Sequence, residues 1–294
     1  NNSLFQVLLA KRMGKKNLIC ESGAGQHYSA TAAVAAKFGI PLIGVMGEVD
    51  IKRVNQNIIK AKHYGAKLKA VPGTLKEAIT DAIKTWITNP DYYYVCGSAV
   101  SSFPFPKIVQ FAQSIIGKEI REQSMEQEGR LPDMICGCVG GGSNFIGSIH
   151  EFLDEPNIKK IGVEAAETAA LTHGTPNIMQ GMKSYMLASS DGSKSLGGSS
   201  LGAGIQYFGV GPQHSYLKDQ GAVTYTSATD KEILNAYKVV AQTEGISSAL
   251  EPMAAAAEVL KQAKGKPKDF IIVLSLCGRG EKDLDTIEEH MGKD

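Results

Sequence analysis

Glu21-Ser22-Gly23-Ala24-Gly25-Gln26-His27 is the run of this chain best equipped for chemistry. It follows an apolar stretch ending at Cys20 and precedes an alanine-rich stretch from Ala30 to Phe38, so it reads as a bend from strand into helix. The first amides of a helix have no carbonyl within it and point outward, so such a bend can hold a carboxylate or a phosphate. Glu21 stands at its lip, a proton carrier beside an anion site. The pairing suits a catalyst that grips an amino acid by its carboxylate and moves protons nearby.

A second bend, Gly140-Gly141-Gly142-Ser143-Asn144, lies between the strand-like Met134–Val139 and the helix-like stretch from Phe145. Three glycines let the backbone wrap an anion, and Ser143 and Asn144 add side-chain donors. No Gly-Lys-Ser/Thr follows, so it is not a nucleoside-triphosphate loop, and Phe145 breaks the dinucleotide fingerprint. A phosphate cradle and a tight turn needing small residues are both open readings. Leu274 to Asp283 puts Cys277 at another strand end, where a thiol could meet a ring nitrogen or simply close a basic turn. Gly209 to His214 offers carbonyls to a monovalent cation or forms an ordinary loop. Glu251 sits in an apolar helical context, as a cap, a solvated carboxylate or a site residue.

The elements that must carry these bends alternate. Strand-like runs at 17–20, 41–46, 68–71, 92–96, 134–139, 158–163 and 270–276 are separated by helical patterns at 30–38, 54–64, 74–86, 106–128, 145–153, 230–243, 249–263 and 283–291. This rhythm predicts an α/β protein of two lobes, with mostly parallel sheets covered by helices on both faces. Ligands of such sheets sit beyond the carboxyl ends of the strands, where the glycine bends fall. Thr168 to Gly211 reads as a long polar loop. The lobes are expected at residues 1–116, incomplete at its start and holding a mobile subdomain at about 14–101, and at residues 117–294 with the phosphate site.

The bulk properties exclude more than they assign. Hydrophobic residues at 43% and charged residues at 21% are ordinary for a soluble protein, and a net charge of +1 favours neither nucleic acid nor a membrane surface. No apolar stretch reaches membrane-spanning length and no signal peptide is evident. Five cysteines at irregular spacing argue against a disulfide framework and for a reducing, cytoplasmic setting. Cys136 and Cys138 are the close pair; they lack zinc partners and read as core. The amphipathic pattern opens directly at Asn1, which suggests that a preceding segment is absent.

Taken together and in order, Leu8 to Lys15, Glu21 to His27, Gly129 to Asp133, Cys138 to Asn144, Gly211 to His214 and Gly278 to Gly280 resemble the β subunit of tryptophan synthase, a pyridoxal-phosphate enzyme of fold type II. The resemblance covers essentially the whole chain. It implies a lyase that joins L-serine to indole, giving L-tryptophan and water. By that resemblance Glu21 is the acid/base, and the amides of Ser22, Gly23, Ala24, Gly25, Gln26 and His27 hold the substrate carboxylate. Gly140, Gly141, Gly142, Ser143 and Asn144 hold the phosphate of pyridoxal 5′-phosphate, with Glu251 and Cys277 near its ring. Carbonyls of Gly140, Tyr207 and Gly209 match a Na+ or K+ site. The resemblance also implies a homodimer and a tryptophan synthase α subunit as partner, with Lys76 at the position that contacts it.

Several positions depart from the family. The lysine that bonds the cofactor is expected just ahead of Asn1, so none of the lysines here takes that role. Cys277 replaces a serine, Gln206 replaces an aspartate that pairs with the position of Arg53, Tyr28 replaces a glycine, and Pro252 and Ala254 replace polar residues. The stretch from Ala165 to Thr172 is short. These departures leave two alternatives beside the main reading. One is another pyridoxal-phosphate β-replacement or elimination enzyme; the other is a non-catalytic homologue acting through an α-type partner.

Overall fold

The computed structural model describes residues 1–52, 54–189 and 196–291. The chain divides into two compact units, Asn1–Gly97 and Ser98–Asp294, each built on its own sheet.

In the first unit, α1 (Asn2–Arg12) leads into β1 (Asn17–Glu21), α2 (Gln26–Phe38), β2 (Leu42–Gly47), α3 (Glu48–Ile51), α4 (Asn55–His63), β3 (Lys67–Val71), α5 (Leu75–Thr88) and β4 (Tyr92–Tyr94). The strands order as β3-β2-β1-β4, and every pairing is parallel. β1 and β2 are apolar on both faces, as strands covered on both sides must be. Leu18, Ile19, Val45 and Met46 are almost fully enclosed, each worth roughly 1.5–3 kcal/mol of burial. Thr74 and Glu77 close a capping box at the start of α5, as their spacing predicts.

Tyr28 has no exposure at all, and its ring lies over Gly44 of β2, where an added Cβ would come within 2.2 Å of ring carbon. The large residue on the helix is accommodated by the missing side chain on the strand.

The second unit runs α6 (Phe105–Gln113), α7 (Ile115–Glu128), β5 (Met134–Cys138), α8 (Ser143–Ile149), β6 (Lys159–Ala165), α9 (Ala170–His173), β7 (Thr175–Met179), β8 (Met182–Met186), α10 (Pro212–Asp219), β9 (Thr224–Ala228), α11 (Asp230–Glu244), α12 (Leu250–Gln262), β10 (Ile272–Leu274) and α13 (Leu284–Met291). Its main sheet is again parallel, in the order β10-β5-β6-β9. One apolar cluster, with Met253 and Ala254 to Ala257, packs on one face, and another, with Phe145, Ile149 and Phe152, on the other. The predicted α/β class with parallel sheets and flanking helices is what the chain forms.

Three local expectations need correction. The stretch from Thr168 to Gly211 is not one loop: β7 and β8 form an antiparallel hairpin within it. The turn is Gln180-Gly181, both at positive φ (49° and 78°), which suits the twist of a two-residue hairpin. β8 alternates buried and less buried positions through polar Lys183 and Ser184, so hydropathy hid it. β9 is likewise hidden from the hydropathy pattern, because Thr224-Tyr225-Thr226-Ser227-Ala228 carries little apolar signal. The helix expected over 106–128 is two helices that meet at Ser114, whose hydroxyl donates to the Phe111 carbonyl at 2.9 Å.

Candidate active site

Both glycine bends lie where their sheets reverse direction. In the first unit the chain goes from β1 out to β2 and β3, then crosses back to place β4 on the other side of β1. In the second it goes from β5 to β6 and β9, then returns to place β10 beside β5. Such switch points open a crevice beyond the strand ends, because the adjoining crossovers leave in opposite directions. The bends after β1 and β5, and the Cys277 turn after β10, all flank these points.

Glu21 ends β1 and bridges its switch point. Its Oε1 accepts from the Gly97 amide beyond β4 at 3.3 Å, while its Oε2 is buried with no partner. Burial raises its pKa to about 7; hydrogen bonds from the Tyr94 side chain and the Gly97 amide offset part of that rise. A buried carboxyl with an open oxygen and a near-neutral pKa is poised to give and take protons.

The bend after Glu21 is tightly packed. Gly25 takes the left-handed conformation (φ 74°), and a Cβ there would press to 2.8 Å from Asn57 Cβ. Asn57 Nδ2 donates to the Ala24 carbonyl at 2.8 Å. His27 Nε2 lies 2.8 Å from the Val95 carbonyl, so that nitrogen carries the proton; burial lowers the ring's pKa and keeps it neutral. The Ser22 amide donates to the Val45 carbonyl at 3.2 Å, so it belongs to the sheet. Contrary to the expectation from the resemblance, Ser22 does not offer its amide to an anion. The amides of the first turn of α2 remain without carbonyls inside the helix.

The second bend is as closely built. A Cβ on Gly140 would come within 2.7 Å of the Gly204 carbonyl oxygen, one on Gly141 within 1.7 Å of Ser98 Oγ, and one on Gly142 (φ 91°) within 2.1 Å of His214 Nε2. Packing alone therefore favours glycine, at Gly140 through a backbone clash and at Gly142 through its positive φ, as the tight-turn reading has it. The anion reading gains from Asn144, whose Nδ2 is buried without a partner while its Oδ1 accepts from Ser275 Oγ at 3.2 Å. A fixed amide with its donor side open fits a phosphate oxygen.

Two residues that secure this bend carried no role in the sequence reading. His214 Nε2 lies 2.8 Å from the Gly142 carbonyl and Nδ1 2.9 Å from the Tyr225 hydroxyl. A carbonyl can only accept, so Nε2 bears the proton and Nδ1 accepts from Tyr225; burial lowers the ring's pKa to about 4, so it stays neutral. Ser275, the residue after β10, locks Asn144. The Gly-Pro-Gln-His run was the one available signal for His214; nothing local pointed to Ser275.

Glu251, on α12, is held by two partners. Its Oε1 accepts from the Gly204 amide at 2.6 Å and from Lys282 Nζ at 2.8 Å, and its Oε2 is buried and open. Lys282 also meets Asp283 at 2.7 Å. Burial works against the lysine's charge, but the two carboxylates outweigh it and its pKa is raised. Cys277 is half-buried in the turn that follows β10. Gly140 lies in the close-packed bend after β5, Gly209 forms an isolated bridge to Met186, and Tyr207 packs against Phe208.

Gln206 follows the short turn Ala203–Ile205, and Arg53, its expected counterpart, lies outside the described residues. Glu164, at the end of β6, accepts from the Leu171 and Thr172 amides at 2.8 and 2.9 Å, which anchors the shortened stretch. No cluster of three or more His, Cys, Asp or Glu side chains fit for a metal occurs among the described residues, and no described helix is long and apolar enough to cross a membrane.

Orphaned buried atoms on Asn144 and Glu251, with a glycine cradle at a switch point, thus fit a phosphorylated cofactor. The family model for pyridoxal-phosphate dependent enzymes matches residues 2–278, and the chain belongs to that family. It is 48% identical over 304 aligned positions to a tryptophan synthase beta chain of Allorhizobium ampelinum, covering 99% of this chain and 75% of that one, which places it in the tryptophan synthase β branch. A crystal structure of an O-ureido-L-serine synthase mutant bound to O-ureido-L-serine aligns with all of this chain and 82% of that one. Its TM-score is 0.72 at 19% identity, which shows the shared fold alone.

Proposed function

We propose that the chain condenses L-serine with indole to give L-tryptophan and water, with pyridoxal 5′-phosphate as cofactor. The observation that carries this reading is Glu21, a buried carboxyl with an open oxygen and a pKa of about 7, in a chain 48% identical to a tryptophan synthase beta chain. Near pH 7 such a group is about half protonated and serves in both directions. Its proton goes to the departing serine hydroxyl, so the Cβ–O bond breaks to release water rather than hydroxide. The carboxylate left behind then accepts the N–H of indole, which directs the ring carbon toward Cβ and raises its electron density.

The other groups bind and orient. Amides from Gly23 to His27 hold the serine carboxylate. Ser143, Asn144 and the backbone of Gly140 to Gly142 hold the cofactor phosphate, with Glu251 and Cys277 at the ring and its nitrogen. The bound cofactor supplies the electron sink that lets the bonds at the amino acid's α and β carbons break. Carbonyls of Gly140, Tyr207 and Gly209 take Na+ or K+. The working assembly is a cytoplasmic homodimer with an α subunit docked near Lys76.

Glu21→Ala in the cofactor-loaded, full-length protein tests the central assignment. Tryptophan formation from serine and indole should fall by about 100-fold or more, the scale of a lost general acid, with the cofactor absorbance retained. Tryptophan synthesis at the unmodified rate would refute the role of Glu21.

A further inference from the structure

Cys138 and Cys277 lie 139 residues apart, yet their sulfurs touch, 3.6 Å from each other. The sheet brings this about. β5 and β10 are parallel neighbours with Cys136 opposite Leu274, and the Ser275 amide donates to the Cys136 carbonyl at 2.9 Å. Cys138 lies two residues beyond Cys136 at the end of β5, and Cys277 three residues beyond Leu274 in the turn after β10; there, at the carboxyl end of the sheet, their side chains meet. Cys136, the sequence neighbour of Cys138, is directed elsewhere: its Sγ is 3.6 Å from the Ala255 carbonyl.

The two thiols differ in access. Cys138 is 6% exposed in the apolar cluster around Leu250 and Met253, whereas Cys277 packs at the edge of that cluster and is only half-buried. The hydrogen bond to Cys277 and burial keep the Cys138 thiol protonated well above its usual range. An oxidant therefore reaches Cys277 first, and Cys138 stands behind it as the resolving thiol. A disulfide needs the sulfurs at about 2.05 Å, so side-chain rotation must close a gap of roughly 1.5 Å.

We propose that Cys138 and Cys277 form a site of reversible oxidation, closed to a disulfide by hydrogen peroxide. Cys277 sulfur attacks one peroxide oxygen; the O–O bond breaks, water leaves, and Cys277 becomes a sulfenic acid. Cys138 sulfur then attacks Cys277 sulfur; the S–O bond breaks, a second water leaves, and the S–S bond forms. Two thiols are oxidised and one peroxide is reduced to two waters. The consequence for the cofactor rests on the function proposed above: the disulfide withdraws the Cys277 thiol from the ring nitrogen.

The test is peroxide treatment of the full-length protein, cofactor-loaded and cofactor-stripped, followed by alkylation, intact mass and peptide mapping. The stripped protein should lose two hydrogens in mass and yield a linked Cys138–Cys277 peptide pair that dithiothreitol separates. Cys138→Ser and Cys138→Ala should give no linked pair and instead gain oxygen at Cys277, which separates a resolving role from a packing one. With cofactor at about ten times its dissociation constant, linkage should slow about tenfold, because the ring covers Cys277. Equal linkage rates with and without cofactor would leave the disulfide standing and overturn the placement of Cys277 at the ring. Oxygen added to Cys277 of the unmodified protein, with no linked pair under any condition, would overturn the proposal itself.

Discussion

Replacing Glu21 with glutamine should stabilise the fold, and the gain should grow with pH. Glu21 is buried at 4% exposure, one carboxyl oxygen has no partner, and its pKa is lifted from 4.5 to about 7. The folded state thus holds this proton more tightly than the unfolded chain does. Stability from the group is complete below 4.5 and is lost as pH rises through about 7. At 1.36 kcal/mol per pH unit, a rise from 4.5 to about 7 corresponds to roughly 3 kcal/mol lost above neutrality. Glutamine mimics the protonated carboxyl in shape and charge, so Glu21→Gln avoids that loss. Urea unfolding of the cofactor-stripped full-length protein, followed by circular dichroism, reads the difference. The variant should match the unmodified protein at about pH 4.5 and exceed it by up to about 3 kcal/mol at about pH 8.5. A gap that does not change with pH would show that Glu21 is an ordinary carboxylate, and the proton-transfer role would go with it.

Lys282→Met leaves Glu251 and Asp283 buried without their shared cation, each side chain at most 7% exposed. Chemical denaturation should show a loss of about 3–5 kcal/mol, the cost of uncompensated buried charge. Tyr28→Phe removes a buried hydroxyl with no partner and keeps the ring over Gly44. It should be neutral or stabilising by about 1 kcal/mol in the same assay, whereas Gly44→Ala should be destabilising by about 1–3 kcal/mol, because the ring has nowhere to move.

The parts of this molecule that were legible in the chain are local. The apolar runs before Glu21 and Gly140 and the helical patterns after them fixed the strand–bend–helix units, since burial on both faces leaves no polar alternation to mislead. Strands with polar faces escaped notice. β9 and the β7–β8 hairpin are held by register and by turn geometry at Gln180-Gly181, not by a run of hydrophobic residues. Contacts across the sheet were also hidden. Spacing pointed to Cys136 as the neighbour of Cys138, while the strand order supplied Cys277. Lys282 reads as one more base in a charged turn until α12 brings Glu251 onto it. Resemblance named Ser22 with the other amides of its bend, but the register of β1 against β2 had already given that amide to Val45.

Product analysis of the cofactor-loaded, full-length protein supplied with L-serine, indole and sulfide together bears most directly on the chemistry assigned to Glu21. Tryptophan is the expected product, formed by the unmodified protein and reduced about 100-fold or more in Glu21→Gln. Cysteine or pyruvate without tryptophan, or tryptophan formed undiminished by Glu21→Gln, would contradict the assignment.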